Sequence, residues 1–496
     1  MALRFTLTDL KIVLADLGQV FYFSAPSFLA PIPFAFFYGE PLHFAFSYFI
    51  IAVLVFLTGL ALKKFFPQEK ETETKHAFLT ASLLWLLFTA FAAMPFVFVQ
   101  GTSFVDGFFE SMSAITTTGL SVLDNELDSV PKSLVFWRSF LGWFGGMGII
   151  VLALIGIVSA YSTTSKLFFA EGRDDRIKPN LKHTVKELWK IYLAITVLGI
   201  VALLAAGMGF FDALNYAMSA VSTSGVNTSP DKLAIESNLL VEIILTLLLV
   251  IGSTNFALHY VFIKKKSLKV YLQSSEFKSM LAFSLLGGLL VLPKIALFAQ
   301  SFSEAVRISF FHSFSAQLGG FMAITVSYIA ASDDFVKLVF ASLMVIGGSS
   351  GSTSGGLKVS RVLLVLKQFF WKIKETTLTR GVVFPRKFEG TEIEPQRLSD
   401  VNHFVIVYLA VLFVGTMFLT TSGNSLADSF LEASSAQANA GISSGITYKG
   451  MPLPSEISLI LLMWLGRLDI IPLFVGLGIV FSGRGAKPKI FNQKTS

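Results

Sequence analysis

Apolar stretches long enough for a helix to cross a hydrocarbon core of about 30 Å recur near residues 11–36, 42–63, 78–99, 134–160, 188–210, 238–263, 279–299, 335–372, 402–421 and 455–482. Positive charge alternates between the connections. Lys63, Lys64, Lys70 and Lys75 form one group, Lys166, Arg173, Arg176, Lys178 and Lys182 a second, Lys264, Lys265, Lys266 and Lys269 a third, and the stretch from Lys358 to Arg397 a fourth. The intervening connections hold few such residues, chiefly Lys132, Lys232, Lys294, Arg307 and Lys449. Lys and Arg concentrate on the cytoplasmic side of membrane proteins, so the pattern predicts an even number of crossings with both termini inside.

The poorly charged connections after residue 78 are too long and too apolar to be simple loops, and they read as half-spans. Three share one grammar: FVDGFFESMSAITTTGLSVLDN from Phe104, FFDALNYAMSAVSTSGVNTS from Phe210 and LADSFLEASSAQANAGISSG from Leu426. An Asp (Asp106, Asp212, Asp428) precedes an apolar helical run and is expected to N-cap it. A Ser follows (Ser113, Ser219, Ser435), and a Gly (Gly119, Gly225, Gly441) closes the unit 13 residues after the Asp. A less regular copy, AVRISFFHSFSAQLGGFMAIT, has Arg307 in the Asp position and Gly320 in the Gly position. Successive glycines lie 106, 95 and 121 residues apart, which predicts four pseudosymmetric helix, half-span, helix repeats. The expected divisions are an N-terminal pair of transmembrane helices (1–75) and repeats over 76–165, 185–270, 275–375 and 400–485.

Composition narrows the class. With 53% hydrophobic and 14% charged residues and a mean hydropathy of +0.69, the chain is far from the roughly 25% charge of soluble domains. An all-α integral membrane protein is expected and a soluble enzyme is excluded. The net charge of +7 is spread over short connections, so it reads as topology rather than as a nucleic-acid face. The absence of Cys removes disulfides and thiolate chemistry. The N-terminus lacks an apolar run followed by a small-residue cleavage site and is expected to be retained.

A half-span that enters as a helix and returns as irregular backbone leaves carbonyls at membrane depth, each costing several kcal/mol in lipid. Such backbone must line water or ions. Four helix C-termini aimed at one axis present negative dipole ends, and four Ser/Thr/Gly segments present carbonyls that can replace a cation's water shell. Permeation of a monovalent cation follows, with glycine free to adopt left-handed conformations. Glu110 and Glu432, nine residues before their glycines, either attract cations or bond behind the segment.

These residues resemble the Trk, Ktr and plant HKT superfamily of bacterial, archaeal and plant potassium transporters. The likeness covers nearly the whole chain and rests on TTTGL at 116–120, WFGGMGIIVLAL at 143–154, GGSSGSTSGGLKVSR at 347–361 and LGRLDI at 465–470. The two helices before residue 76 look like the Trk subtype. The resemblance implies a potassium-selective filter in a prokaryotic cytoplasmic membrane, with K⁺ held at the carbonyls of Thr116, Thr117, Thr118 and Gly119, of Ser222, Thr223, Ser224 and Gly225, of Gln317, Leu318, Gly319 and Gly320, and of Ala438, Asn439, Ala440 and Gly441. The third and fourth segments depart from the family pattern at Gln317, Leu318 and Gly319 and at Ala438, Asn439 and Ala440.

The second helix of repeat three is broken over 346–357 by Gly347, Gly348, Gly351, Gly355 and Gly356, with Ser349, Ser350, Ser352, Thr353 and Ser354 between them. Each interior Gly costs about 1 kcal/mol relative to Ala, and broken backbone is tolerable only beside a cavity. By resemblance this is an intramembrane gate. Lys358 either plugs the path or reaches the cytoplasmic surface. Arg467 is a charge inside an apolar crossing, functional by default, placed by resemblance on the inner side of the filter or else paired with Asp469. At about 8 Å and an effective dielectric of about 20, it would repel a cation by roughly 2 kcal/mol.

The basic inner segments, KKKSLK from Lys264 and the stretch from Lys367 to Arg397, suit anionic lipid or a protein. The resemblance implies a homodimer with one pore per chain and a cytosolic nucleotide-binding regulatory ring of the TrkA type. The chain has no Rossmann fingerprint or P-loop, so nucleotide control is expected in trans and no organic cofactor in this chain, while the resemblance implies K⁺ as cargo. A secondary carrier coupled to Na⁺ or H⁺ predicts inverted repeats, whereas these run in one direction. An intramembrane enzyme needs clustered ligands or nucleophiles, whereas His43, His76, His183, His259, His312 and His403 are scattered.

Overall fold

The computed structural model describes residues 6–67, 72–148, 181–229, 238–322, 326–377 and 385–468. The later halves of the expected spans 134–160 and 455–482, together with Asp469, lie outside these. The N-terminal pair is α1 (Leu7–Ser24), short α2 (Ile32–Phe37) and α3 (Leu42–Phe65). Gly18 and Gly59 let α1 and α3 touch: a Cβ on Gly18 would lie 2.8 Å from Leu62 Cβ, and one on Gly59 would strike the Tyr22 backbone. Small residues at such crossings supply the packing that lipid cannot.

Four units follow. Repeat one is α4 (Thr74–Pro95), α5 (Phe104–Ile115) and α6 (Lys132–Gly146). Repeat two is α7 (Leu181–Ala205), α8 (Phe210–Val221), α9 (Leu239–Gly252) and α10 (Phe256–Lys265), then short α11 (Lys269–Gln273). Repeat three is α12 (Ser275–Ile295), α13 (Phe302–Leu318), short α14 (Val326–Ala331), α15 (Asp334–Ile346) and α16 (Val359–Thr377). A small antiparallel hairpin, β1 (Lys387–Phe388) with β2 (Thr391–Glu392), precedes repeat four: α17 (Pro395–Thr420), α18 (Leu426–Ala438) and α19 (Leu453–Arg467). The architecture is all-α and built for a membrane.

Two expectations about the half-spans are corrected. The N-caps of α5 and α18 are Ser103 and Ser425, whose side chains accept from the backbone N–H of Asp106 and Asp428. A short hydroxyl acceptor satisfies that donor, while the Asp sits in the first turn, over the positive end of the helix. Gly209 caps α8, and Asp212 instead accepts from Thr228 Oγ1 at 2.7 Å. In repeat three Ser301 caps α13 and Glu304 occupies the acidic first turn. That helix has 17 residues against 12, 12 and 13 in the others, so counting back from the glycine landed on Arg307, which instead pairs with Glu242 of α9.

The second helices also differ from expectation. Six helices among the described residues are long and apolar enough to cross a membrane unaided. By contrast, α6, α9, α15 and α19 have only 15, 14, 13 and 15 residues, about 20–23 Å of rise. The expected span 238–263 bends by 97° between α9 and α10, whereas in the third repeat the break expected over 346–357 is present, as the segment 347–358 between α15 and α16. Asp333 caps α15, and the Lys294 ammonium 2.6 Å away holds its carboxyl below the usual range.

Candidate functional site

The four glycines meet. A Cβ on Gly119 would collide with the carbonyl oxygen of Ser224, one on Gly225 would lie 2.5 Å from that of Gly319, one on Gly320 would collide with that of Ala440, and one on Gly441 with that of Thr118. Each glycine therefore abuts the residue just before the glycine of the next repeat, and the fourth closes on the first. All four take left-handed φ, at +87°, +65°, +76° and +93°, so neither the backbone nor the space admits a side chain. Thr116, Thr117, Thr118, Ser222, Thr223, Ser224, Gln317, Leu318, Ala438, Asn439 and Ala440 are all buried around this ring.

The return segments are built alike in three repeats. Thr118, Ser224 and Ala440 donate their N–H to the carbonyls of Ser113, Ser219 and Ser435, five residues earlier. Thr117, Thr223 and Asn439 adopt left-handed φ of +59°, +58° and +52°. The third segment is one residue shorter. Ser315, five before its glycine, donates to Phe321 O at 2.5 Å as Ser113, six before its own, donates to Leu120 O at 2.5 Å. Extended Gly319, φ 172°, takes up the difference.

Both conspicuous carboxylates lie behind the ring. Glu110 accepts from Ser121 Oγ and Val122 N, each at 2.6 Å, and pairs with Arg138 of α6 at 2.9 Å. Glu432 accepts from Ser444 N at 2.8 Å, Ser443 Oγ at 2.9 Å and the Thr447 hydroxyl. With their acceptor sites occupied by the protein, they brace the return segments from outside.

A second layer of glycines carries the helix ends. A Cβ on Gly145 would strike Ile115 O, one on Gly252 would lie 2.5 Å from Val221 O, and one on Gly466 would strike Gln437 O. In repeats one, two and four the second helix thus presses a glycine against the C-terminal carbonyls of its own short helix and ends there, whereas in repeat three Gly347 lies against Gly355 O. Sequence reasoning missed this layer, although its signal was present: Gly145, Gly252, Gly347 and Gly466 follow the ring glycines by 26, 27, 27 and 25 residues.

The segment 347–358 lies against this level and is tied to three repeats. Thr353 N donates to Gly252 O at 3.2 Å, and Ser349 N to Ser253 O at 3.0 Å. Thr353 Oγ1 lies 3.0 Å from both Val221 O and Gly252 O and 3.3 Å from Thr223 Oγ1. Gln317 Nε2 donates to Gly347 O at 3.0 Å. A Cβ on Gly355 would strike Ala438 O. Gly348, Ser352, Ser354 and Gly356 complete the turn, while Gly351 O accepts from Phe256 N and Ser350 Oγ meets Ser360 Oγ. Lys358 folds back so that its ammonium donates to Ser354 O.

Arg467 reaches the same level. Its guanidinium donates to Gly145 O at 2.6 Å, Gly146 O at 3.2 Å, Thr353 O at 3.1 Å and Thr117 Oγ1 at 3.3 Å, and it lies 5.6 Å from the Trp85 ring. Gly146, Ser253 and Gly348 hold the corresponding place in the other repeats, directly after the packed glycine. One repeat in four therefore brings a cation to the inner side of the ring. Converging carbonyls backed by a fixed positive charge suit a small dehydrated cation that must also be released.

Comparison with known proteins identifies the family. The family model TrkH, described as a cation transport protein, matches residues 43–302 and 298–482. A cation transporter of Methanocaldococcus jannaschii is 30% identical over 95% of this chain and 96% of its own. The Trk system potassium uptake protein TrkH of Escherichia coli K12 is 31% identical over 82% of this chain and 86% of its own. The crystal structure of the potassium transporter TrkH from Vibrio parahaemolyticus superposes with a TM-score of 0.81 at 26% identity, covering 94% of this chain and 98% of that one. The chain belongs to the TrkH family of cation transport proteins, which are transporters and not enzymes.

Proposed function

We propose that this protein takes up potassium ions across a prokaryotic cytoplasmic membrane, through a filter formed by the four return segments and gated by the segment 347–358. The observation that carries the reading is the closed ring in which Gly119, Gly225, Gly320 and Gly441 each abut a carbonyl of the next repeat. An ion entering the ring exchanges water for peptide oxygens of residues 116–119, 222–225, 317–320 and 438–441. Arg467 keeps its occupancy low enough for exit toward the cytoplasm. Hydrogen bonds from Ser349, Thr353 and Gln317 hold the gate under the ring, and conduction requires those bonds to exchange for water. The names of the relatives support potassium as the cargo.

The same reading places both termini inside, gives each chain of a homodimer its own pore, and supplies control in trans from a cytosolic nucleotide-binding ring. Expression in a bacterium lacking its potassium uptake systems tests it. Growth on low-potassium medium is expected, together with ⁸⁶Rb⁺ uptake that K⁺ outcompetes and Na⁺ does not. Membrane-inserted protein that restores neither growth nor uptake, with or without a cognate regulator, would overturn it.

A further inference from the structure

The helix that leaves the gate carries an apolar face that the protein does not cover. At 100° per residue, Leu366, Phe369, Phe370 and Ile373 of α16 fall within a stripe about 100° wide. They are 46%, 64%, 62% and 47% exposed. The opposite face is engaged: Leu364 packs with Ile393 and Leu398, Trp371 lies beside them, and Gln368 exchanges hydrogen bonds with Asn402 of α17. Lysines border the free stripe on both sides, Lys367 and Lys374 on one and Lys372, 79% exposed, on the other.

Composition assigns this stripe a place. Large apolar side chains on one face, with lysines along both borders, make an amphipathic helix of the kind that lies in the bilayer interface, its apolar side in the acyl boundary and its lysines among the headgroups. Aromatic rings with flanking lysines are the composition of membrane-interface anchors, and such lysines are drawn to an anionic leaflet.

The start of α16 is also bonded into the loop before it. Val359 N donates to Gly348 O at 2.9 Å, Leu357 N donates to Val345 O at 2.8 Å, and Ser360 Oγ meets Ser350 Oγ at 2.5 Å. We propose that α16 is an interfacial lever whose Leu366–Ile373 stripe inserts among anionic lipids of the cytoplasmic leaflet, so that the charge of that leaflet sets the position of the 347–358 segment. This rests on the gating role proposed above for that segment.

The chain contains no Cys, so Phe370→Cys labelled with bimane reports on that position alone. In proteoliposomes containing phosphatidylglycerol, lipids brominated near the headgroup are expected to quench the label at least twofold, while aqueous iodide leaves it unchanged. Rb⁺ uptake by the unlabelled protein is expected to be several-fold faster at 30% phosphatidylglycerol than in pure phosphatidylcholine. The pair Lys372→Glu and Lys374→Glu should abolish that difference, and the pair Lys372→Arg and Lys374→Arg should keep it. Iodide quenching, or a label reached by neither quencher and so covered by protein, overturns the lipid contact. Uptake that is robust but independent of phosphatidylglycerol overturns the coupling. Absent uptake in both lipids, with the bromolipid result intact, counts instead against the transport reading.

Discussion

Arg467 spends its donors on oxygens from two other repeats: Thr117, Gly145 and Gly146 of the first, and Thr353 of the third. Removing it does two separable things. The ring loses a repulsive charge, which at about 8 Å and a dielectric of about 20 amounts to roughly 2 kcal/mol, or some thirtyfold in ion occupancy. The carbonyls of Gly145 and Thr353 lose a charge-assisted donor, a contribution of about 1.5–3 kcal/mol for such a bond. Arg467→Ala is therefore expected to bind Rb⁺ more tightly by calorimetry, to unfold at lower temperature, and to leak more in flux assays. Unchanged affinity and flux would remove this side chain from the mechanism. The ring glycines make a sharper residue-scale test. Gly119 and Gly207 both have left-handed φ, +87° and +92°, yet a Cβ meets Ser224 O at the first and nothing within 4 Å at the second. Gly207→Ala should cost stability through its backbone by about 1 kcal/mol and leave selectivity alone. Gly119→Ser should lower the potassium-to-sodium permeability ratio at least ~tenfold, an energy of only about 1.4 kcal/mol. Equal reversal potentials for the two variants would count against the filter.

Among the elements, the segment 347–358 is the one whose bonds read as a latch. Thr353 is its centre, with backbone and hydroxyl both directed at the broken end of α9 and with Val221 O in reach of the hydroxyl. Thr353→Val keeps the shape and deletes the hydroxyl bonds, which individually contribute about 1 kcal/mol. Basal Rb⁺ flux should rise by up to about tenfold, since 1.4 kcal/mol is a factor of ten in a two-state equilibrium. An unaltered basal rate would make the segment a passive linker. How much of this could be read beforehand differs by element. The short helices and their glycines were legible because a repeated Asp, Ser and Gly spacing survives in the chain. Their true start was not, because the capping hydroxyl of Ser103 or Ser425 lies three residues before the more conspicuous acid. The third copy misled the count twice over, through a helix of 17 residues and a return segment one residue short. The ends of α6, α9 and α19 were hidden because hydropathy averages across them, and a single glycine packed on a carbonyl leaves little trace in such a window. Arg138, the buried partner of Glu110, lies inside the expected span 134–160, and nothing in its spacing marks it as a partner of a carboxylate 28 residues earlier.

At the scale of the whole molecule, the ring is made of four distant pieces of chain that meet backbone to backbone around an axis, with one side-chain bond, Asn439 Nδ2 to Thr118 Oγ1 at 2.9 Å, joining the fourth to the first. Carbonyl oxygens crowded at Thr118, Ser224, Gly319 and Ala440 repel one another, and in the proposed filter the charge that relieves that repulsion is the cargo itself. The repeats are also unequal: among the described residues only the fourth brings an Arg to the layer of packed glycines, and only the third has the segment 347–358 and a shortened return. An ion seated on the axis thus bridges parts with different tasks. Ligand that binds only the folded form stabilises it by RT ln(1 + [L]/Kd), about 2.7 kcal/mol at a hundredfold excess over Kd. For a chain of 496 residues the unfolding entropy typical of globular proteins turns that into a rise of about 3 °C. Purified protein should therefore show a midpoint that climbs with K⁺ and Rb⁺ at constant ionic strength, and climbs less with Na⁺ or Li⁺. In Gly119→Ser the K⁺ and Na⁺ curves should converge, because one quarter of the ring no longer fits the ion. If all four cations shift the wild-type midpoint equally, the ring does not discriminate among them, and selectivity would have to arise elsewhere along the path.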